Sequence, residues 1–301
     1  MILECDNMKY IIDTDPGIDD SIAISLAYLN KLDIIGFTLA TGNIDKDKAA
    51  NNLKVVQNVL DSNIPMYMGT KENKTNSISA EYAHGKDGLG NIFMPISIKE
   101  FENISAEDFI IKSAHEYPNE LTIICLGPLT NLASALEKDS TIVNKICKIV
   151  FMGTSYDETL DIPYNEFNVK IDIDSAKKVF NAGFKEIKII THEIGIKAFI
   201  KRHEMNRLSD SNNKICKFIY LISQKYMEFC ESHYGIIGCC MPDPVTIASV
   251  ISEDIIEYDP CSIEIKDNLA YLSKEDYSTI YVAKSINLDK FTYLFESTFK
   301  I

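Results

Sequence analysis

The chain has 301 residues, of which 46% are hydrophobic and 25% are charged, a composition typical of a soluble globular protein. Lysine and arginine total 30 against 44 aspartates and glutamates, which gives a formal net charge of −14. Phosphate backbones and anionic membranes repel so acidic a chain, so we predict no nucleic-acid partner and no membrane partner. No run of about 18 apolar residues predicts a membrane-spanning helix.

The cysteines and the first residues of the chain indicate in which cellular compartment the protein is found. Eight cysteines are spread along the chain, and none forms a Cys-x-x-Cys pair. The first six residues include two acids and no apolar core of a secretory signal. Free thiols are typical of a reducing compartment. We therefore predict a cytoplasmic protein without disulfides or zinc sites.

Apolar runs that predict β-strands alternate with periodic patterns that predict α-helices. In the first part of the chain, strands are predicted at 10–12 and 32–40, and helices at 19–30 and 45–60. Further along, strands are predicted at 121–126, 148–152 and 186–190, and helices at 129–137 and 174–181. Residues 203–252 are predicted to be mainly helical, with short strands near 256–264 and 279–283 and a helix from about 288.

This alternation predicts the fold class. Continuous apolar strands that alternate with helices are typical of an α/β fold. We expect a mainly parallel, Rossmann-like open sheet with helices on both faces. No linker or internal repeat divides the chain, so we predict a single domain over residues 1–301.

Three polar turns follow predicted strands, at Asp13–Asp20, Thr41–Asn43 and Leu126–Asn131. Ligands of open α/β sheets bind outside the carboxyl ends of the strands. The active site is therefore predicted at the C-terminal ends of the strands, where these turns converge.

The first of these turns carries four carboxylates within eight residues, Asp13-Thr-Asp-Pro-Gly-Ile-Asp-Asp20. Four acids this close repel one another unless a cation neutralises them, which predicts a divalent-metal site. Capping of the next helix explains Asp19 or Asp20, but not Asp13 and Asp15 at the strand end. The Asp-x-Asp motif of metal-assisted phosphoryl transfer also follows a first strand, but Pro-Gly-x-Asp-Asp does not follow it there.

This octapeptide closely resembles the N-terminal signature of the nucleoside hydrolases, the inosine–uridine-preferring ribohydrolase family. Further segments resemble the family in the expected order, from about residue 9 to the C-terminal region. They are Gly42-Asn43, Leu126-Gly-Pro-Leu-Thr-Asn-Leu132, Met152-Gly153, Glu166-Phe-Asn168 and Asp243-Pro244.

The resemblance implies a Ca²⁺-dependent enzyme that hydrolyses the N-glycosidic bond of ribonucleosides to ribose and free base, in nucleoside salvage. The implied calcium ligands are the carboxylates of Asp15, Asp20 and Asp243 and the backbone carbonyl of Leu126. Asp15 is also the implied general base, taking a proton from a water that the ion holds beneath the anomeric carbon. The reaction passes through an oxocarbenium-like transition state.

The resemblance also implies residues that bind the substrate. Asp19, Asn43 and Asn168 resemble those that hold the ribose 2′- and 3′-hydroxyls, and Glu166 resembles the one that holds the 5′-hydroxyl. Met152 and His84 are further implied substrate contacts, and Asp13 an indirect support of the ligands. The glycine-rich segment 82–90 around His84 is interpreted as a mobile lid.

Each assignment has an alternative that the residues leave open. Asn43 also fits a plain turn after Gly42, and Glu166 and Asn168 also fit a loop pair. An isolated histidine such as His84 is more often structural. We expect two further residues, Thr130 and Asn131, to cap the following helix.

The chain departs from the family at two positions. Pro242 stands where a histidine often assists the leaving base, and Leu160 stands, by ungapped spacing, where an asparagine often joins the 5′-hydroxyl contact. Leu160 alone motivates the hypothesis of a preference for 5′-deoxy or 5′-modified sugars. The side chains considered for help to the leaving group are those of His84, His233, Tyr226 and Tyr234.

These departures leave alternatives to an active hydrolase. One is a non-catalytic ribose or nucleoside sensor that retains the metal site, and another is a metal-dependent phosphohydrolase. For most of the aromatic residues between 218 and 234, core packing is the favoured interpretation. The resemblance also implies a homodimer or homotetramer, although no interface can be derived from the residues.

Overall fold

The computed structural model describes residues 7–71, 79–155 and 166–301. Leu160 lies outside these residues, so the hypothesis of a 5′-deoxy preference remains a hypothesis. No helix within the described ranges is long and apolar enough to cross a membrane.

Strands and helices alternate through most of the described chain. The strands are β1 (Lys9–Thr14), β2 (Ile34–Leu39), β3 (Met66–Met68), β4 (Leu121–Cys125), β5 (Lys148–Met152), β6 (Ile187–Ile190), β7 (Phe199–Lys201), β8 (Gly238–Cys240), β9 (Ile256–Lys266), β10 (Leu269–Lys274) and β11 (Ile280–Ile286). The helices are α1 (Ile18–Leu29), α2 (Lys46–Leu60), α3 (Glu81–His84), α4 (Ala106–Glu116), α5 (Thr130–Lys138), α6 (Phe167–Ile171), α7 (Ile173–Phe180), α8 (His192–Lys197), α9 (Arg202–Arg207), α10 (Lys214–Tyr234), α11 (Pro242–Ile251) and α12 (Leu288–Phe299). Short 3₁₀ helices lie at Ser140–Asn144, Leu208–Asp210 and Glu253–Ile255.

Nine of the described strands form one sheet, in the order β10-β9-β11-β6-β5-β4-β1-β2-β3. From β11 to β3 every neighbouring pair is parallel, while β9 and β10 are antiparallel additions at one edge. β7 and β8 form a separate antiparallel pair. The mainly parallel open sheet is the predicted one.

Successive strand residues point to opposite sides of the sheet, so the apolar strands give it two apolar faces, and helices cover both. In β1, Ile12 belongs to one buried cluster and Ile11 to the other. The first cluster includes residues of α1, α2, α10, α11 and α12. The second includes residues of α4, α5 and α7. This arrangement confirms the predicted fold class.

Several short elements were not predicted from the sequence. β3, β7 and β8 have three residues each, which is too short for a periodic pattern to be recognised. β8 interrupts the region 203–252, which is otherwise mainly helical as predicted. β10 lies at the sheet edge, where three of its six residues are exposed, so it lacks the continuous buried run of the central strands.

The strand ends bring the polar turns to one edge of the sheet. Asp13 is paired with Cys125, Thr14 with Leu39, and Met152 with Ile190, so β1, β2, β4, β5 and β6 end at a similar level. The turn after β1 leads directly into α1. This is the edge at which the active site is predicted.

Candidate active site

Asp20 is fixed at the start of α1 by four hydrogen bonds. Its Oδ1 accepts from the Thr14 hydroxyl at 2.5 Å and from the backbone N–H of Asp15 at 3.3 Å. Its Oδ2 accepts from the backbone N–H of Gly17 at 2.9 Å and from the Asn43 side-chain amide at 3.1 Å. Asp20 therefore caps α1 and ties the turn after β1 to the turn after β2.

Asp15 lies between two glycines on neighbouring turns. A Cβ on Gly42 would lie 2.0 Å from Asp15 Oδ2, and one on Gly127 would lie 2.4 Å from Oδ1. Oδ2 accepts a hydrogen bond from the backbone N–H of Asn43 at 2.8 Å, whereas Oδ1 has no donor among the described residues. One carboxylate oxygen is thus anchored and the other is available for chemistry.

Asp13 sits deeper, at the end of β1. Its Oδ1 accepts from the Thr38 hydroxyl at 2.5 Å and from the Asn131 amide at 2.7 Å. The expectation that Asn131 and Thr130 cap α5 is wrong. The cap residue is Leu129, which makes no side-chain cap, and Thr130 donates to Asp172 at 2.8 Å. Both side chains satisfy buried or partly buried carboxylates instead of backbone N–H groups.

Asp19, Asp20 and Asp243 come together although α1 and α11 are far apart in sequence. A carboxylate oxygen from each lies within 4.8 Å of the other two. These residues stand in the first turns of α1 and α11, where the positive ends of the helix dipoles favour negative charge. Asp15 is not part of this group, although its charge contributes to the raised pKa of Asp243.

Burial and mutual repulsion raise the pKa values of these acids. Burial raises the pKa of Asp19 to about 6. The pKa values of Asp15 and Asp243 are raised well above the ordinary range, first by burial and then by the neighbouring aspartates. That of Asp20 is also raised, by burial and by Asp19. Folding therefore concentrates negative charge that only a bound cation or protons can neutralise.

The carboxylate cluster fits a hard divalent cation. Two oxygens that bind the same calcium ion at 2.3–2.6 Å are at most about 5 Å apart, and the three clustered oxygens satisfy this limit. Asp15 Oδ1 and Asp19 Oδ1 are buried and accept no hydrogen bond from any described residue. Unpaired buried carboxylate oxygens are the ligands that such an ion requires.

His84 is buried in α3 and belongs to the site. Its Nδ1 accepts a hydrogen bond from the backbone N–H of Ile18 at 3.1 Å and lies 3.7 Å from Asp19 Oδ1. Burial lowers the pKa of His84 to about 4, with the charge of Asp20 acting in the opposite direction. The ring is therefore neutral at pH 7, with its proton on Nε2.

Asn168 and Glu166 lie at the start of α6. The Asn168 amide donates to the carbonyl of Leu126 at 2.7 Å and to that of Met152 at 3.1 Å. Glu166 caps the helix by accepting from the Asn168 backbone N–H at 2.9 Å. Burial raises the pKa of Glu166 to about 8, so its carboxyl group holds a proton at neutral pH.

These groups line one open cleft, whose cavity volume is about 90 Å³. Its lining combines acid and amide side chains, which we call the polar end, with aromatic rings, which we call the aromatic end. Its lining residues are Asp19, Asn43, Ala80, Tyr82, Ala83, His84, Leu126, Met152, Glu166, Phe167, Asn168, His192, Tyr226, Phe229, Tyr234, Pro242 and Asp243. All of the predicted substrate contacts are in this set, whereas Asp13, Asp15 and Asp20 lie behind it.

Aromatic rings from α3, α8 and α10 form the second end of the cleft. Phe229 packs against Tyr226 and Tyr234, with ring centroids 6.0 and 5.5 Å apart, and against Tyr82 at 5.5 Å. Tyr226 also stacks on His84 at 5.5 Å. Core packing was the favoured interpretation for Tyr226 and Phe229. These rings do pack against other rings, but they also line the cleft.

Three cleft residues with ring side chains were not singled out from the sequence: Tyr82, Phe167 and His192. Tyr82 and Phe167 stood inside segments that the sequence did identify, next to His84 and Glu166. His192 follows β6, so its place after a strand was the available signal. His233, a candidate for help to the leaving group, does not line the cleft but stacks on Phe229 at 5.0 Å.

The chain is similar over most of its length to known nucleosidases. The sequence model described as "Inosine-uridine preferring nucleoside hydrolase" matches residues 10–292. Uridine nucleosidase 1 of Arabidopsis thaliana is 32% identical over 255 residues, which cover 83% of this chain and 76% of the relative. The inosine-uridine preferring nucleoside hydrolase of Leishmania major is 29% identical, with 86% and 84% covered.

Solved structures show the same fold. A plant nucleoside hydrolase superimposes with a TM-score of 0.89 at 26% identity, covering 97% of this chain and 99% of that one. A purine-preferring ribonucleoside hydrolase from Gardnerella vaginalis superimposes with a TM-score of 0.88 at 27% identity, covering 97% and 98%.

The sequence resemblance is therefore confirmed over nearly the whole chain, and the enzyme class follows from it. Small-molecule nucleosides are the substrates, and the cluster of buried aspartates is a site at which a metal can bind. The chain belongs to the inosine-uridine preferring nucleoside hydrolase family, whose members hydrolyse ribonucleosides to ribose and free base.

Proposed function

We propose that hydrolysis by this enzyme depends on Ca²⁺, held by the carboxylates of Asp15, Asp20 and Asp243 and the carbonyl of Leu126. The observation that carries this proposal is the burial of mutually repelling aspartates whose largest electrostatic effects come from one another and not from lysine or arginine. All four ligands offer oxygen, the donor that calcium prefers. When bound, the ion supplies positive charge that neutralises the carboxylates and lowers the pKa of water.

Asp15 acts as the general base. Its Oδ2 is held by the backbone N–H of Asn43, so the carboxylate cannot rotate freely. Its Oδ1 is left without a described donor and can take the proton from the attacking water. Asp13 supports Asp15 indirectly: it lies two residues before it on β1 and is itself held by Thr38 and Asn131.

The polar end of the cleft holds the ribose. Asp19, Asn43 and Asn168 line this end and offer one carboxylate and two amides for the 2′- and 3′-hydroxyls. Glu166, which carries a proton at neutral pH because burial raises its pKa to about 8, can donate to the 5′-oxygen. Met152 and His84 complete the walls. Fixing the sugar at several points holds the anomeric carbon in position for attack.

Removal of the ion tests the calcium proposal. Treatment with EGTA should abolish release of reducing sugar from inosine or uridine and lower the melting temperature, because the buried aspartates then repel. Ca²⁺ should restore both properties. Full activity in EGTA, after exhaustive dialysis, would contradict the proposal, as would restoration by Mg²⁺ but not by Ca²⁺.

We also propose a single-domain, cytoplasmic enzyme that acts in nucleoside salvage as a homodimer or homotetramer. The similarity to relatives that match nearly the full length of this chain supports the single domain. Free thiols on the seven cysteines within the described ranges support a reducing compartment.

A further inference from the structure

The two ends of the cleft differ in the groups that they offer. The polar side chains include Asp19 and Asp243, and the aromatic side chains include Phe229 and Tyr234, which pack against each other. A ribose needs hydrogen-bond partners and a nucleobase needs flat apolar surface, so the base of a bound nucleoside lies at the aromatic end. Negative charge develops on the base as the N-glycosidic bond breaks. The aromatic end must therefore supply a hydrogen-bond donor that stabilises this charge.

Pro242 cannot be this donor, because proline has no side-chain N–H or O–H. It stands at the start of α11, directly before Asp243, and faces the cleft. Its Cβ packs against the backbone of α8, where a Cβ on Gly195 would lie 2.6 Å away. The backbone N–H of Met241 also donates to the Gly195 carbonyl at 3.3 Å. α8 and the start of α11 are therefore in direct contact.

His192 is the first residue of α8, three positions before Gly195, so both face the same side of the helix. It lines the cleft together with Pro242, and its ring meets that of Tyr234 edge-on with centroids 5.9 Å apart. Its backbone N–H donates to the carbonyl of Thr154 at 3.1 Å, which fixes the start of the helix. His192 is thus placed among the aromatic side chains of the cleft that Pro242 also lines.

The electrostatic surroundings of His192 separate it from the carboxylate cluster. Burial lowers its pKa, Glu193 acts in the opposite direction, and His233 adds to the lowering. The aspartates at the other end of the cleft do not contribute. A neutral imidazole of this kind carries one N–H donor and is not drawn towards the ion ligands.

Three other donors that line the cleft, those of His84, Tyr226 and Tyr82, are less suited to this role. The Nδ1 of His84 accepts from Ile18, which leaves its Nε2–H as a donor, but the ring lies 3.7 Å from Asp19 Oδ1 at the polar end. The hydroxyl of Tyr226 has a pKa raised by burial and then by Asp19, which also places it near the sugar. Tyr82 is 63% exposed, so water screens its hydroxyl.

We propose that His192 contacts the departing nucleobase and stabilises it by donating a hydrogen bond. The C1′–N bond breaks with its electron pair on the base, a hydroxyl from water bonds to C1′, and the water proton goes to Asp15. The imidazole N–H of His192 donates a hydrogen bond to the base as the base gains negative charge. The base then takes a proton from solvent while Asp15 releases one, so the balance is nucleoside plus water to ribose plus base.

Two leaving groups test this role, which rests on the hydrolase activity stated above. Nucleosides release a base that needs a donor, whereas 4-nitrophenyl β-D-ribofuranoside releases a phenolate that its nitro group already stabilises. His192→Phe should lower kcat/KM for inosine and uridine by about 10- to 100-fold, the effect of one hydrogen bond to a charged group. It should change kcat/KM for the nitrophenyl riboside by less than about threefold.

His192→Gln, which keeps an N–H donor, should recover part of the loss on nucleosides. His203→Phe is the matched control, because its side chain is 75% exposed and lies outside the cleft. Equal losses on both substrates, or no loss, would overturn the proposal, as would a selective loss in His84→Phe but not in His192→Phe. A wild-type enzyme that cleaves neither substrate would refute the hydrolase activity itself.

Discussion

At the scale of single residues, the site depends on what surrounds each carboxylate more than on the carboxylates alone. Asp15 is confined by Gly42 and Gly127 and anchored by the backbone of Asn43. Asp20 is anchored by four donors. A general base that is held in this way loses little freedom when it reacts, which is the benefit of preorganisation.

Replacement of the proposed general base tests the role of Asp15 directly. Asp15→Asn keeps the size of the side chain but removes its basicity and one ligand charge, so turnover should fall by several orders of magnitude with the fold retained. Initial rates on inosine and uridine, together with circular dichroism, check this. Asp276→Asn, an exposed position, is the matched control. Near-normal activity in Asp15→Asn would rule out the assignment.

Gly127, which lies beside Asp15, should be nearly as important for turnover as Asp15 itself. A Cβ on Gly127 would lie 2.4 Å from Asp15 Oδ1, so Gly127→Ala must displace the carboxylate and should lower kcat at least tenfold. The control is Gly183→Ala, where nothing lies within 4 Å but φ is +80°. That change should cost about 1 kcal/mol of stability and leave kcat unaltered. An active Gly127→Ala enzyme would show that Asp15 tolerates movement.

The motif residues were predictable because they stand in short segments with distinctive spacing. Their partners were less predictable. Asn131 supports Asp13 instead of capping α5, because the two residues lie 118 positions apart and only the sheet register brings them together. His192 carries no motif, and its place in the cleft depends on how α8 packs against α11.

At the scale of elements, helix starts organise the cleft. α1 and α11 pack against each other and carry Asp19, Asp20 and Asp243 in their first turns. Both helices are buried along most of their length, which is why their sequences are apolar on nearly every side. A periodic pattern predicts such helices weakly, and their polar first turns identify them better.

The contact between α8 and α11 can be tested at Gly195. Gly195→Ala would place a Cβ 2.6 Å from Pro242 Cβ and 2.9 Å from its Cα, so the helices must separate. We expect a loss of about 1–3 kcal/mol in the free energy of unfolding and a fall in kcat/KM on nucleosides, because His192 and Asp243 both move. Urea denaturation and steady-state kinetics measure the two effects. Unchanged kinetics in a destabilised variant would show that the two helix starts are independent.

At the scale of the whole molecule, the general fold was predictable, since alternating apolar strands and amphipathic helices predict a parallel sheet with little ambiguity. β9 was predicted as a strand, but its antiparallel direction was not. β10 and the separate pair of β7 and β8 were not predicted, because β10 lies at the sheet edge and β7 and β8 have only three residues each.

The buried acids predict an unusual dependence of stability on pH in the calcium-free protein. Folding raises the pKa of Asp13 from 3.8 to about 7, that of Asp19 from 3.8 to about 6, and that of Glu166 from 4.5 to about 8. Between the unfolded and folded values the folded state binds more protons, so these groups make stability fall as pH rises. His84 opposes this between pH 4 and 6.5, because folding lowers its pKa.

The free energy of unfolding without calcium should therefore decrease from about pH 6.5 to about pH 8, where His84 no longer compensates. Excess Ca²⁺ should reduce or reverse the decrease, because the ion stabilises ionised carboxylates. Glu166→Gln should flatten the slope near pH 8. Thermal melts at fixed ionic strength measure this, and a calcium-free protein that becomes more stable across this range would contradict the pKa shifts.

The pairing of α1 with α11 has a consequence for how the enzyme is made. The acids at their starts are separated by roughly 220 positions of chain, so the pocket that they share does not exist until both helices have docked. An ion that binds there would hold together two helices that are far apart in the sequence of a newly synthesised chain. Capture of calcium would then report that assembly is finished, and a truncated or half-folded chain would be unable to hold the ion.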